Sequence, residues 1–212
     1  EVDMMVKYKT MDANEGVALV SYKFSEVCGI YPITPASPMA EHVDRMSSNG
    51  EVNYFGNPVK VVEMQSEAGA IALVHGALQS GILYKLAGEL LPGGIHVAAR
   101  SLSTHALSIM GDHQDVYACL NTGVCMLASS SVEEAYYMAA IAHLSSIKSS
   151  LPFINFFDGF RTSHEIDKVK LMDMSRVLKL IDKKALREFR DRAMDTNKPN
   201  TRGTAENDDI YF

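Results

Sequence analysis

The chain has 212 residues, 47% apolar and 22% charged, which suits one domain of ordinary size plus a tail and is apolar enough for a core. A net charge of −6 excludes a surface built for nucleic acid or anionic membrane. No apolar run approaches the ~20 residues that span a bilayer, no signal peptide is evident, and Cys28, Cys119 and Cys125 lack CxxC spacing, so a cytoplasmic protein with reduced thiols and no iron–sulfur ligation of its own is expected.

Residues 1–13 read as a polar lead-in, and Val17, Ala18, Val20 and Ser21 place a first helix over 14–23. VCGIY at 27–31 reads as a strand that runs into Pro32-Ile33-Thr34-Pro35, where two prolines forbid a helix from continuing. Thr34 is then either part of a proline-bracketed turn or a hydroxyl facing a ligand crevice. A helix over 37–45 and a polar, glycine-containing loop over 47–58 follow. Val59-Lys60-Val61-Val62 reads as a buried strand, after which the period changes. Ala70, Ile71, Val74, Ala77 and Leu78 recur at helical spacing and predict a helix over 66–80. Ser66 stands at its N-cap position and Glu67 in its first turn. Glu67 is either an acid favoured there by the helix dipole or a carboxylate presented at the carboxyl edge of a parallel sheet, where ligands bind. The pattern leaves both open.

ILYKLAGEL at 82–90 is a short helical pattern closed by Pro92-Gly93-Gly94. A strand over 95–99 places Arg100 at its carboxyl end, as a surface or ion-pair residue or as a two-pronged holder of a carboxylate. Asp112, His113 and Asp115 are poor candidates for a metal site, since neighbours in one loop rarely surround an ion unaided; a structural role is expected. A strand over 123–128 meets the capping signal of Ser129, Ser130 and Ser131 with Glu133 and Glu134, and a helix runs to about 147 on Ala135, Met138, Ala139, Ala142 and Leu144. LPFINFF at 151–157 is the last core strand and ends at Asp158-Gly159. Residues 182–194 form a basic amphipathic helix with Leu186 and Phe189 inward, and 196–212 read as a linker. The alternation predicts an α/β fold, a doubly wound, mostly parallel sheet with five core strands at 27–31, 59–63, 95–99, 123–128 and 151–157. No GxGxxG supports a nicotinamide site.

YPITPASPMAEHVD at 31–44, MQSEAGA at 64–70, HVAARSLSTHALSIMGDHQDV at 96–116 and FRTSHEID at 160–167 resemble, in order, segments of the pyruvate:ferredoxin (flavodoxin) oxidoreductases. The resemblance runs from Thr10 to Phe212 and is to the amino-terminal, pyrimidine-binding domain of a much longer polypeptide. It implies oxidative decarboxylation of pyruvate with coenzyme A, giving acetyl-coenzyme A, carbon dioxide and electrons for ferredoxin or flavodoxin. Carried residue by residue, it implies that Glu67 hydrogen-bonds the aminopyrimidine of thiamine diphosphate, with Pro32 and Ile33 as further cofactor contacts. Thr34 lines the substrate pocket, and Arg100 binds the 2-oxoacid carboxylate. The Gly-Asp of 111–112 is only superficially like the diphosphate motif of thiamine enzymes, because His113 follows and no Asn-Asn comes after.

The resemblance further implies a homodimer, and a diphosphate held by a domain outside this chain. Magnesium and four-iron four-sulfur clusters are implied for the family but not as groups bound by this chain. Residues 1–170 are expected to form the pyrimidine-binding-like domain and 171–212 a helical and linker tail leading to the rest. One departure is an omission: between Gly81 and Tyr84 the family has a strand, a turn and the start of a helix, and this chain is shorter by on the order of 15–20 residues, more than a typical strand. Five strands are therefore expected where the family has six, and the chain alone is not expected to be active. The alternatives are an enzyme acting on another 2-oxoacid and a non-catalytic association module.

Overall fold

In the computed structural model, which describes residues 6–70, 73, 83–102, 109–193 and 197, strands and helices alternate. The order is β1 (Tyr8–Met11), α1 (Ala13–Phe24), β2 (Val27–Ile30), α2 (Ser37–Ser48), β3 (Lys60–Glu63), α3 (Leu83–Gly88), β4 (Gly93–Ala99), α4 (Gln114–Tyr117) and a 3-10 turn (Leu120–Thr122). There follow β5 (Cys125–Ser129), α5 (Val132–Ser149), β6 (Pro152–Asp158), β7 (Asp167–Lys170), α6 (Met174–Leu178) and α7 (Lys183–Arg192). The five expected core strands are all present as β2, β3, β4, β5 and β6, shifted by a residue or two at their ends. The helix expected over 66–80 is described only at 67–70 and 73, which are helical; the rest of it, like the linker at 196–212 apart from residue 197, lies outside the described residues.

The parallel strands form two ladders rather than one. β2 pairs with β3, and β4 and β5 flank β6 in order β4-β6-β5; among the described residues no ladder joins the two groups. The reading of 1–13 as a lead-in needs correction, because β1 pairs antiparallel with β7, Tyr8 opposite Lys170. Of the strand residues in that pair only Met11 and Val169 are buried, so neither strand shows the alternation that announces one.

Helix α1 joins the ladders through two faces. Its Ala13, Val17, Val20 and Phe24 belong to the main core with Ala98, Val132, Ala135, Tyr136, Ala139, Phe157 and Val169. Its Ala18 and Tyr22 pack instead on Val43 and Met46 of α2 and on Val59. Asp12 caps the helix, its Oδ1 accepting from Glu15 N at 2.8 Å. A third core on the other face of the β4-β6-β5 sheet gathers Ala99, Val116, Val124, Ile154 and Phe156. The capping signal before α5 forms as expected: Ser131 Oγ accepts from Glu134 N, and the Glu134 carboxylate accepts from Ser130 N and Oγ at 2.7 Å each. Burial holds the Cys28 thiol up at about 11, so it stays protonated, and all three cysteines are unpaired.

One polar network lies between α1, β4, α5 and β6. His96 Nε2 is 2.8 Å from Ser21 Oγ and 3.1 Å from His143 Nε2. Ser21 gives its own proton to Val17 O, and Asn155 Nδ2 offers one to His96 Nδ1 at 3.4 Å. His96 is therefore protonated on Nε2 and shares that proton with Ser21 and His143, which fixes both imidazoles as neutral. His143 also stacks flat on Phe24, with ring centroids 5.2 Å apart. Burial pulls His143 down to about 4; burial and then the neighbouring His143 pull His96 well below the usual imidazole value.

The unfolded chain therefore binds protons that the folded chain refuses. Stability from this pair is complete above ~6.5 and is lost as pH falls toward the folded values. At pH 5 the His143 ring gives up roughly 2 kcal/mol and His96 acts in the same direction, which for a domain of this size lowers the thermal midpoint by about 5 °C or more relative to pH 7. Thermal unfolding followed by circular dichroism between pH 7 and pH 5 checks this; a flat midpoint across that window contradicts it.

Candidate functional site

The register of the β2–β3 ladder sets out the first half of the site. Ile30 pairs with Glu63, and Met64 N donates to Ile30 O at 2.9 Å, so the chain leaves both strands at one level. Thr34 lies four residues beyond Ile30, and Glu67 four beyond Glu63. After β2 the backbone folds on itself: Ile33 N donates to Tyr31 O at 2.9 Å, and Ala36 N and Ser37 N both donate to Ile33 O at 3.0 Å. Pro35 is buried by this turn, Ile33 is half-buried, and Pro32 and Thr34 are exposed. After β3, Ser66 is the N-cap expected of it, its Oγ accepting from Gly69 N at 3.0 Å. Glu67 opens the helical segment as an exposed carboxylate with no hydrogen bond or ion pair among the described residues.

Arg100 follows β4 and is pinned through its backbone. Arg100 N donates to Asp115 Oδ2 at 3.1 Å, Leu102 N to Gln114 Oε1 at 3.0 Å and Ser101 N to Met110 O at 3.1 Å, while Arg100 bridges Gly111. The acids of GDHQD thus serve as backbone acceptors: Asp115 Oδ1 also takes Val116 N at 2.7 Å, and Asp112 Oδ1 takes His113 N at 2.6 Å. The guanidinium reaches across to the turn after β2, with Nη1 donating to Thr34 O at 3.4 Å. The structure therefore brings Arg100 and Thr34 together. Glu67 is bonded to neither, but stands on the same edge, beyond a neighbouring strand.

Two glycines let these turns meet. Gly159 N donates to Ala99 O at 2.7 Å, and a Cβ there would fall 2.5 Å from Ala99 O and 2.8 Å from Pro35 Cγ. A Cβ on Gly111 would enter the Asp158 carboxylate and lie 2.5 Å from Gly159 O. Asn14, in the first turn of α1, supplies a further tie that the sequence did not signal: its Nδ2 donates to Pro35 O and to Ser163 O, each at 3.0 Å. A separate cavity of about 500 Å³ opens at the ends of β5 and β6, lined by His113, Ser130, Glu134, Asp158, Arg161 and Glu165 among others, and none of Thr34, Glu67 or Arg100 lines it. Among the described residues no group of three or more His, Cys, Asp or Glu is placed to hold a metal ion, and no helix is long and apolar enough to cross a membrane.

The family model described as pyruvate flavodoxin/ferredoxin oxidoreductase, thiamine diphosphate-binding, matches residues 19–83 and 80–212. A pyruvate-flavodoxin oxidoreductase of Klebsiella pneumoniae is 51% identical over 226 residues, covering 99% of this chain and 19% of the relative. A pyruvate:ferredoxin oxidoreductase of Moorella thermoacetica is 51% identical over 221 residues, covering 96% of this chain and 19% of that protein. The chain thus spans about a fifth of the length of these curated relatives. Both alignments are longer than the 212-residue chain, so the relatives carry residues that it lacks, and the break in the family match lies at 80–83. Among solved structures, a 2-oxoglutarate:ferredoxin oxidoreductase from Magnetococcus marinus superposes with a TM-score of 0.66 at 18% identity, covering 80% of this chain and 32% of that one. That likeness establishes the fold.

The close approach at the two glycines is directly testable. Gly159→Ala and Gly111→Ala are each expected to destabilise the chain by about 1–3 kcal/mol in urea unfolding, since at both the added methyl meets a backbone carbonyl at 2.5 Å, and at Gly111 the Asp158 carboxylate as well. Gly88→Ala, where a Cβ meets nothing within 4 Å, should leave the midpoint nearly unchanged. Equal effects at the three positions would contradict the packing described.

Proposed function

We propose, since the chain belongs to the pyruvate flavodoxin/ferredoxin oxidoreductase family, that it furnishes the pyrimidine-facing and substrate-facing side of a thiamine diphosphate site acting on pyruvate. The observation that carries this reading is the pairing of Arg100 with the Thr34 turn on the edge where Glu67 stands unpaired. Residues 1–170 act as the pyrimidine-binding domain, and 171–212 lead toward the remainder of the enzyme.

Each residue has a physical task in this reading. Arg100 holds the 2-oxoacid carboxylate through paired N–H donors, which a guanidinium presents in one plane. Thr34 stands beside it with an exposed hydroxyl and orients the substrate carbonyl. Glu67 offers a carboxylate that no described neighbour occupies, which fits an acceptor for the ring nitrogen of an aminopyrimidine, and Pro32 and Ile33 give that ring an apolar wall. Thiamine diphosphate, when bound, supplies the nucleophilic carbon and the electron sink for decarboxylation. Asp112 and Asp115 accept from backbone N–H groups, and the diphosphate and its magnesium are assigned, as the family resemblance implies, to a domain outside this chain. Iron–sulfur clusters, coenzyme A and ferredoxin or flavodoxin are assigned there too.

Two measurements test this. Calorimetric titration of the isolated chain with thiamine diphosphate should show no micromolar binding, because only one of the two sides of the cofactor site is present; micromolar affinity would overturn the division. In an enzyme assembled from this chain and the remaining four-fifths of the Klebsiella pneumoniae relative, Arg100→Lys should raise the KM for pyruvate roughly tenfold or more, as expected for losing a charge-assisted hydrogen bond. A variant with unchanged KM and reduced kcat would remove Arg100 from carboxylate binding.

A further inference from the structure

Asn14 is fully buried, yet half of its carboxamide has no partner among the described residues. Its Nδ2 donates to Pro35 O and Ser163 O at 3.0 Å each, and its Oδ1 is buried without a hydrogen bond among the described residues. The orientation is chemically forced, because both facing atoms are carbonyl oxygens and can only accept. A buried acceptor left unsatisfied opposes stability, so the side chain is a poor choice for packing and a good one for holding two turns in register.

The three parts that meet at Asn14 differ in how firmly they are held. Asn14 rides on the capped, core-facing first turn of α1, between Asp12, whose Oδ1 takes Glu15 N, and the fully buried Val17. Ser163 is fixed by its own turn, its N donating to Asp158 O at 3.1 Å and its Oγ accepting from Phe160 N at 2.8 Å. Pro35 lies between them in a turn with no ladder of its own, and its carbonyl is the one main-chain hydrogen-bonding group that a proline has. Adjacent carbonyls of that turn are therefore taken by different elements: Pro35 O by Asn14, and Thr34 O by Arg100.

We propose that Asn14 is a positioning residue, which clamps the turn after β2 between α1 and the turn after β6 and so sets Thr34 opposite Arg100. Its relevance to substrate rests on the reading of Thr34 and Arg100 given above; the clamp itself does not. The second carbonyl comes from the turn of the FRTSHEID motif, which the Ser163 hydroxyl closes by accepting from Phe160 N.

The test is hydrogen exchange on the full 212-residue chain, read at single amides by NMR. Asn14→Asp keeps the shape and removes both donors; Asn14→Ala removes them without burying a charge. In each, exchange at Ala36 N and Ser37 N, which close the turn on Ile33 O, should accelerate at least tenfold relative to Ala139, Ala140 and Ala142 in α5. An unchanged ratio, a uniform rise across both sets, or loss of the whole fold in both variants overturns the clamp; if only the aspartate variant unfolds, the alanine variant decides by the same ratio. In the assembled enzyme the same variants should raise the KM for pyruvate more than they lower kcat. Faster exchange with an unmoved KM would uphold the clamp and overturn the substrate role of Thr34 and Arg100 instead.

Discussion

Helix α1 is apolar on two faces, and both must be enclosed. Val17, Val20 and Phe24 go into the core with α5 and β6, while Ala18 and Tyr22 go into the one with α2. Val17, Val20 and Phe24 each contribute about 1.5–3 kcal/mol when fully buried, so separating α5 from α1 removes much of a domain's usual margin. Gly16 lets α5 come this close: a Cβ there would stand 3.3 Å from Tyr136 Cβ. Tyr22 adds a polar anchor inside the apolar face, its hydroxyl donating to Glu51 O at 2.6 Å and accepting from Val59 N at 3.3 Å, which fixes the loop that delivers β3.

The site inherits its geometry from this arrangement. Parallel strands present their carboxyl ends on one edge, and the turns leaving β2, β3, β4 and β6 supply Thr34, Glu67, Arg100 and Gly159. Those turns contact one another through backbone N–H donors and carbonyls, two closely packed glycines, the Asn14 carboxamide and the Arg100 guanidinium on Thr34 O. The reactive side chains are left toward solvent. In the proposed reading this surface is one side of a site, and a covering domain would give it a closed, water-poor interior.

Much of this was legible in the residues and some was not. The strands at 27–31, 59–63, 95–99, 123–128 and 151–157, the caps at Ser66 and Ser131, and the place of Arg100 at a strand end all follow from local signals: β-branched runs, a change of period, a small polar residue before a helix. The β1–β7 pair gave no signal because its burial is confined to Met11 and Val169. Asn14 gave none either, since an asparagine in a first helical turn is read as local, and its two partners are 21 and 149 residues away. GDHQD was read as structural, and its carboxylates do bond backbone; which backbone, that of Arg100, depends on a bridge that no spacing reveals.

The division of the sheet bears on how the site keeps its shape. The family match breaks at 80–83, in sequence between β3 and β4, and these strands belong to different ladders. Within a ladder, backbone hydrogen bonds fix the offset of one strand end from the next, so Thr34 and Glu67 share a register that a side-chain change will not alter. Between ladders the coupling is side-chain burial around α1, which is strong but non-directional and sets no register of its own. Arg100 stands on the far side of that division from Thr34. Its position relative to the turn is therefore settled by discrete polar ties, Arg100 to Thr34 O, Asn14 to Pro35 O and Gly159 N to Ala99 O, and not by the sheet. Backbone pairing fixes such a site within a ladder and polar side-chain ties fix it between ladders, which places the joint between Arg100 on one side and Thr34 and Glu67 on the other.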